Sequence, residues 1–189
     1  VTVIVAVRDQ AGVVIGADSR TSHGWYGASS HALPKIIAHR SAGRSVFIGP
    51  AGNVRFSNIL RYATLPDDLS PSRDEHQWAV TSLVPALRAA SAAAGWTEKK
   101  NDREDHAGDL LLVIGTRIFN LDCDWAVWEP ATPFAAAGSG SDIALGALDA
   151  MHRLTPELPG EAMALAALEA ACAHNSGCAP PLIVQRRSP

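Results

Sequence analysis

The chain contains no apolar run approaching the about 18 residues that a membrane-crossing helix needs. Nor is there an excess of positive charge. Sixteen Lys and Arg stand against 19 Asp and Glu, and the basic residues are scattered. A net charge of −3 leaves no electrostatic footprint for nucleic acid. Cysteine is scarce. Cys123, Cys172 and Cys178 cannot all pair with one another, so the expectation is reduced thiols and a cytoplasmic protein. No secretory leader is read, because the first apolar stretch is short, lacks a basic flank and reads as a strand. Cys172, His174 and Cys178 are near neighbours, but three candidate ligands without a second cluster do not make a usual zinc pattern. The run Gly138-Ser139-Gly140-Ser141-Asp142 lacks the Gly-Lys-Ser/Thr ending of a phosphate loop. Internal repeats and low-complexity segments are also missing.

What is present is a globular composition, 47% hydrophobic and 19% charged. A length of 189 residues is read as one domain, 1–189, with a sizeable core. Residues 2–8 and 13–18 read as a hairpin, and 35–37 and 45–49 as two more strands around a turn at 42–44. Residues 21–34 read as a loop. A helix is expected at 53–64, with Asn53 as N-cap and Val54, Ile59, Leu60 and Tyr62 as apolar contacts. A second is expected at 74–94, disturbed at Pro85. The polar stretch 97–108 reads as an exposed loop. Strands follow at 109–114, 117–121, 125–128 and 134–137, then helices at 141–153 and 161–172. Gly177 suits the turn after them, and a last strand is read at 181–184. Strands, two helices, strands, two helices, strand: two antiparallel sheets packed face to face with helices outside would bury every apolar face. The expected fold is a four-layer αββα sandwich of the α+β class.

The chemistry begins at Thr2. A threonine at a free N-terminus can be nucleophile and base together, since its hydroxyl attacks and its own α-amine accepts the proton. An α-amine titrates at about 7.7–8.0, so a useful fraction is neutral at physiological pH. Val1 stands before it. The expectation is that Val1 records an initiation codon, read as methionine in the cell and trimmed to leave Thr2 first. Thr2 also has an ordinary reading as a β-branched residue at a strand start. Asp18, at the end of the second strand, either orients a cation or makes a turn. Lys35, in an apolar strand, either snorkels or sits beside a carboxylate and favours a deprotonated neighbour. Pro50-Ala51-Gly52-Asn53 and the 138–142 run each precede a helix, where amides can hold an oxyanion or simply form a turn.

In this order the features resemble the proteasome β-subunit family of N-terminal nucleophile hydrolases, most of all the bacterial HslV type. They are Thr2 opening a strand, Gly-Val-Val-Ile-Gly-Ala-Asp-Ser-Arg at 12–20, Lys35-Ile36, Pro50-Ala51-Gly52, and Ala137-Gly138-Ser139-Gly140. The resemblance spans nearly the whole chain. It implies that Thr2 is the nucleophile and that Asp18 and Lys35 set the charge around it. It implies that Ser139 helps proton shuttling and that the Gly52 amide holds the oxyanion. Ser22, beside Thr21, falls where the family has a substrate-binding threonine. No cofactor or catalytic metal is implied. A homo-oligomeric ring is implied, degrading peptides or unfolded proteins, with an ATP-driven unfoldase as the partner that often feeds such rings.

Three departures from the family pattern stand out. Val54-Arg55 replaces an Ala-Asp pair, Ala173 stands where true proteasome subunits carry an aspartate before Ser176-Gly177, and the 22–34 loop carries an unfamiliar Gly24-Trp25-Tyr26-Gly27 stretch. The reading is a threonine-type endopeptidase. Its rivals are an amidohydrolase or transpeptidase acting on a small molecule, since fold does not fix substrate, and a catalytically silent scaffold subunit.

Overall fold

The computed structural model describes residues 2–22, 28–30, 32–100, 103–105 and 108–187, with residues 22, 28, 98–100 and 103–105 through their backbone alone. In chain order the first elements are β1 (Ile4–Asp9), β2 (Gly12–Ala17), β3 (Arg20–Ser22), β4 (Ala28–Ser30), β5 (Ile37–Ser41), β6 (Arg44–Gly52) and α1 (Val54–Tyr62). Next come α2 (Glu75–Trp78), a π-helical turn (Ala79–Leu83) and α3 (Val84–Ala93). They are followed by β7 (Glu98–Lys100), β8 (Arg103–Asp105), β9 (Gly108–Ile114), β10 (Arg117–Leu121), β11 (Val127–Trp128) and β12 (Phe134–Ala137). The chain ends through α4 (Ser141–Leu154), α5 (Gly160–His174) and β13 (Ile183–Arg187).

Two antiparallel sheets form, in the orders β12-β1-β2-β13 and β11-β10-β9-β6-β5. The central strands β1, β2 and β9 are apolar on both faces, because each sheet is covered on both sides. Alternation along β1 shows the layering. Val5 and Val7 pack with Ala164, Ala167 and Leu168 of α5, while Ile4 and Ala6 point inward to meet Phe47, Leu111 and Val113 of the second sheet. In β9 the same period sends Leu110, Leu112 and Ile114 outward onto Phe56, Leu60, Trp78, Leu83 and Leu87. The layers are therefore helix, sheet, sheet, helix. Each fully buried Leu, Ile or Phe in them contributes roughly 1.5–3 kcal/mol.

Several local expectations need correction. Lys35 does not open a strand; it lies in a bend two residues before β5. β6 continues through Pro50 to Gly52, since Pro50 faces Leu110 in a ladder that tolerates its missing N–H, so Pro50–Gly52 is strand rather than turn. The 21–34 loop contains a short ribbon in which Thr21 faces Ser29, and 97–108 contains another in which Lys99 faces Glu104. The unfamiliar stretch at 24–27 lies outside the described residues.

In α1 the N-cap is as read, with Asn53 Oδ1 accepting from the Arg55 amide at 2.8 Å, but the buried face is Phe56 and Leu60. Val54 and Tyr62 are exposed. Pro85 falls at the start of α3, directly after the π turn. A proline has no N–H for the carbonyl four residues back, and the widened turn absorbs the mismatch while Trp78, Leu83 and Leu87 all stay buried.

Candidate active site

The first sheet brings distant pieces of chain to one end of the sandwich. Thr2 lies just before β1 and is buried. Its carbonyl accepts from the Gly140 amide at 3.2 Å and from the Ser139 hydroxyl at 3.4 Å, and its nitrogen donates to Ser139 Oγ at 3.3 Å. That nitrogen is the amide of the Val1–Thr2 bond; it stands where an α-amine would stand if Val1 were gone. The clamp depends on Gly138. Its φ is +94°, and a Cβ there would come within 2.4 Å of the Thr2 carbonyl oxygen. Asn175, just past α5, steadies the same loop by donating its side-chain amide to the Ser139 carbonyl at 2.7 Å.

Asp18 follows β2, and its carboxylate is fully buried. Four donors surround it. Oδ1 accepts from Lys35 Nζ at 2.7 Å and the Val3 amide at 3.0 Å; Oδ2 accepts from the Arg20 amide at 3.0 Å and the Ala179 amide at 3.2 Å. A buried carboxylate needs such partners. Lys35 Nζ, itself largely buried, reaches on to Thr2 Oγ1 at 3.0 Å. A cation donating to a hydroxyl favours its deprotonated form. Thr2, Asp18, Lys35 and Ser139 thus form one connected group.

A cleft of about 280 Å³ opens beside Thr2 and Lys35. Gly52 lines it at the end of β6 with φ +154°, as do Thr21, Asn53 and Val54. Thr21 is buried. The side chain of Ser22 lies outside the described residues. The sequence reading missed Asn175, Ala179 and Arg61. Nothing local marks them, because each acts across 27 or more positions of chain. Two residues beyond Ala173, Asn175 makes the bond to the Ser139 loop. Arg55, also a departure, donates to the Ala94 carbonyl at 2.7 Å and lies over the Trp96 ring, so it joins α1 to the end of α3.

Cys172 and Cys178 are near this group but poorly suited to attack. Burial, then the Asp18 carboxylate, pushes the Cys172 thiol up to about 11 and Cys178 in the same direction. Among the described residues no group of three His, Cys, Asp or Glu is placed to hold a metal ion, and no helix is long and apolar enough to cross a membrane.

A four-layer αββα sandwich with a threonine before its first strand, at the mouth of a cleft, defines the N-terminal nucleophile hydrolase fold. No family model matches the chain. Proteasome subunit beta 2 of Cenarchaeum symbiosum (strain A) is 26% identical over 183 residues, 93% of this chain and 80% of that protein. Thiobacillus denitrificans BPH in complex with epoxomicin is 28% identical with a TM-score of 0.73, over 99% of this chain and 100% of that one. The eukaryotic HslV of Trypanosoma brucei has a TM-score of 0.65 at 19% identity over 97% of both chains, a likeness of fold. In sequence and in fold the chain is thus similar to proteasome β subunits and to proteasome-like proteins of the N-terminal nucleophile hydrolase fold.

Proposed function

We propose that this chain is one catalytic domain, a cytoplasmic threonine-type endopeptidase that works without a cofactor, and that Thr2 becomes its N-terminus. The observation carrying this reading is the chain of contacts from Asp18 through Lys35 Nζ to Thr2 Oγ1, at 2.7 and 3.0 Å. Thr2 Oγ1 attacks the peptide carbonyl carbon while its proton passes to the Thr2 α-amine. Lys35, paired with Asp18, places its cationic Nζ on the oxygen as it loses that proton. The Gly52 amide receives the developing oxyanion. The α-ammonium returns the proton to the leaving amine, and an ester joins the acyl group to Thr2. Water then attacks the ester, giving its proton to the amine, and the acid leaves as Thr2 Oγ1 is reprotonated. Ser139, in contact with the Thr2 nitrogen and carbonyl, relays protons at the amine. Thr21 and Ser22 bind the substrate backbone. A ring of identical subunits, served by an ATP-driven unfoldase, would confine the site. Its relative from Cenarchaeum symbiosum is by name a subunit.

Two substitutions test the reading. Thr2→Ala removes only the hydroxyl and a methyl and is expected to abolish peptide hydrolysis with the fold and assembly intact. Lys35→Ala is expected to abolish it as well. If Lys35→Ala retains near wild-type turnover of a peptide that Thr2→Ala cannot cleave, Lys35 is structural and the assignment is wrong. Epoxomicin, held by the Thiobacillus protein, is expected to block the activity.

A further inference from the structure

We propose that the cleft selects an acidic side chain in the peptide residue whose carbonyl Thr2 attacks, with Arg61 as the specificity-determining residue. The inference rests on the peptidase reading and names the substrate for it. No Asp or Glu occurs between Asp18 and Asp67, yet Arg20, Lys35, Arg40, Arg44, Arg55 and Arg61 all fall there. The described residues lining the cleft are Thr2 and members of that stretch, so no carboxylate is among them.

Most of these cations are committed elsewhere. Lys35 is balanced by Asp18, and Arg44 is paired with Glu75. Arg40 donates to the Gly43 carbonyl and Arg55 to that of Ala94. Arg20 and Arg61 line the cleft, and neither has a carboxylate partner among the described residues. Arg20 Nε is buried, with no hydrogen-bond partner among the described residues, so that nitrogen is closed to a ligand in the cleft.

Arg61 is the better placed of the two for a side chain. It reaches from α1 to donate one N–H to the Pro34 carbonyl. Pro34 directly precedes Lys35, whose Nζ touches Thr2 Oγ1. A guanidinium has five N–H donors in a planar fork that matches a carboxylate, so one bond to Pro34 leaves donors for a ligand. Leu33 and Val54, 45% and 40% exposed, flank the cleft and offer apolar surface to the methylenes of a glutamate. Serine and asparagine fill other positions (Ser57, Asn53, Asn58), so nothing there repels a negative charge.

The test measures binding, so it does not depend on turnover. The Thr2→Ala protein, in its native assembly, is titrated with N-terminally labelled tripeptide amides that differ only in a final Glu, Gln or Leu. The Glu peptide is expected to bind roughly tenfold more tightly than the Gln peptide, the gain of one charge-assisted contact. Arg61→Gln is expected to erase that preference, and Arg61→Lys to retain part of it. Salt at about 0.5 M is expected to shrink it. Equal binding of Glu and Gln, or tighter binding of Leu, overturns the inference. A Glu preference without turnover by the wild-type chain would count against the peptidase reading alone. Thr2-dependent cleavage with no acidic preference would count against this inference alone.

Discussion

Thr2 is held by its backbone before its side chain is used. Ser139 and Gly140 fix its carbonyl, and Gly138 makes their approach possible. Gly138→Ala would force a Cβ against the Thr2 carbonyl at a backbone angle that L side chains rarely adopt. Displacing a nucleophile by around 1 Å costs about a hundredfold in rate. The variant is therefore expected to lose about that much in kcat, with a lowered melting temperature, as measured by peptide hydrolysis and thermal unfolding. Unchanged kcat would mean that the clamp does not position Thr2. Asp18 shows the same economy. One carboxylate holds the segment entering β1, the start of β3, the segment after α5 and the lysine, through four donors.

Between elements, Asp9 plays a comparable part at the far end of β1. Its carboxylate accepts from the Arg186 guanidinium of β13 at 2.8 and 3.0 Å and from the Gly160 amide that starts α5 at 2.8 Å. Arg186, then the Gly160 and Ala11 amides, hold Asp9 below its ordinary pKa against the opposing effect of burial. A carboxyl lowered by folding stabilises the native state at pH above its unfolded value of about 3.9. That stability is lost as pH falls through the folded value. Asp9→Asn is thus expected to cost roughly 1–2 kcal/mol at neutral pH. It should also flatten the fall in stability below about pH 4, measured by denaturant unfolding across pH. An unchanged acid limb would remove Asp9 from the account. Such long-range ties explain what sequence could and could not convey. β1, β2, β6, β9, β10 and β12 were legible because each is a short apolar run, whereas the edge strands β5 (Ile37–Ser41) and β13 (Ile183–Arg187), expected at 35–37 and 181–184, run on into polar residues that carry no such signal; Asn53 announced its helix. The buried face of α1 was not legible: Val54, Ile59 and Tyr62 compete with Phe56 and Leu60 for one short helix, and only the opposing β9 side chains decide. Lys35, the glycine turns and Asp18 were visible as residues, but their meeting depends on pairing across 15 or more positions.

For the assembled molecule, the ring implied by the resemblance needs an exposed apolar surface. Phe56, Trp78 and Leu83, apolar side chains of the outer helical layer, are core residues and offer no surface to another copy. What the outer helices do expose is Tyr62 on α1, at 78%, and Leu154 at the end of α4, at 81%, with Val80 and Leu165 less so. Exposed large apolar side chains on both helical layers suit contacts with further copies. Light scattering coupled to size exclusion is expected to give a multiple of the 19.9 kDa chain mass, and a clean monomer at micromolar concentration would leave the site without a chamber. The most direct test of the central claim is the N-terminus of the active protein. Mass spectrometry of protein purified from its native host with peptidase activity intact is expected to find the chain starting at Thr2, with a free α-amine. Fully active protein that retains a residue before Thr2 would contradict the mechanism.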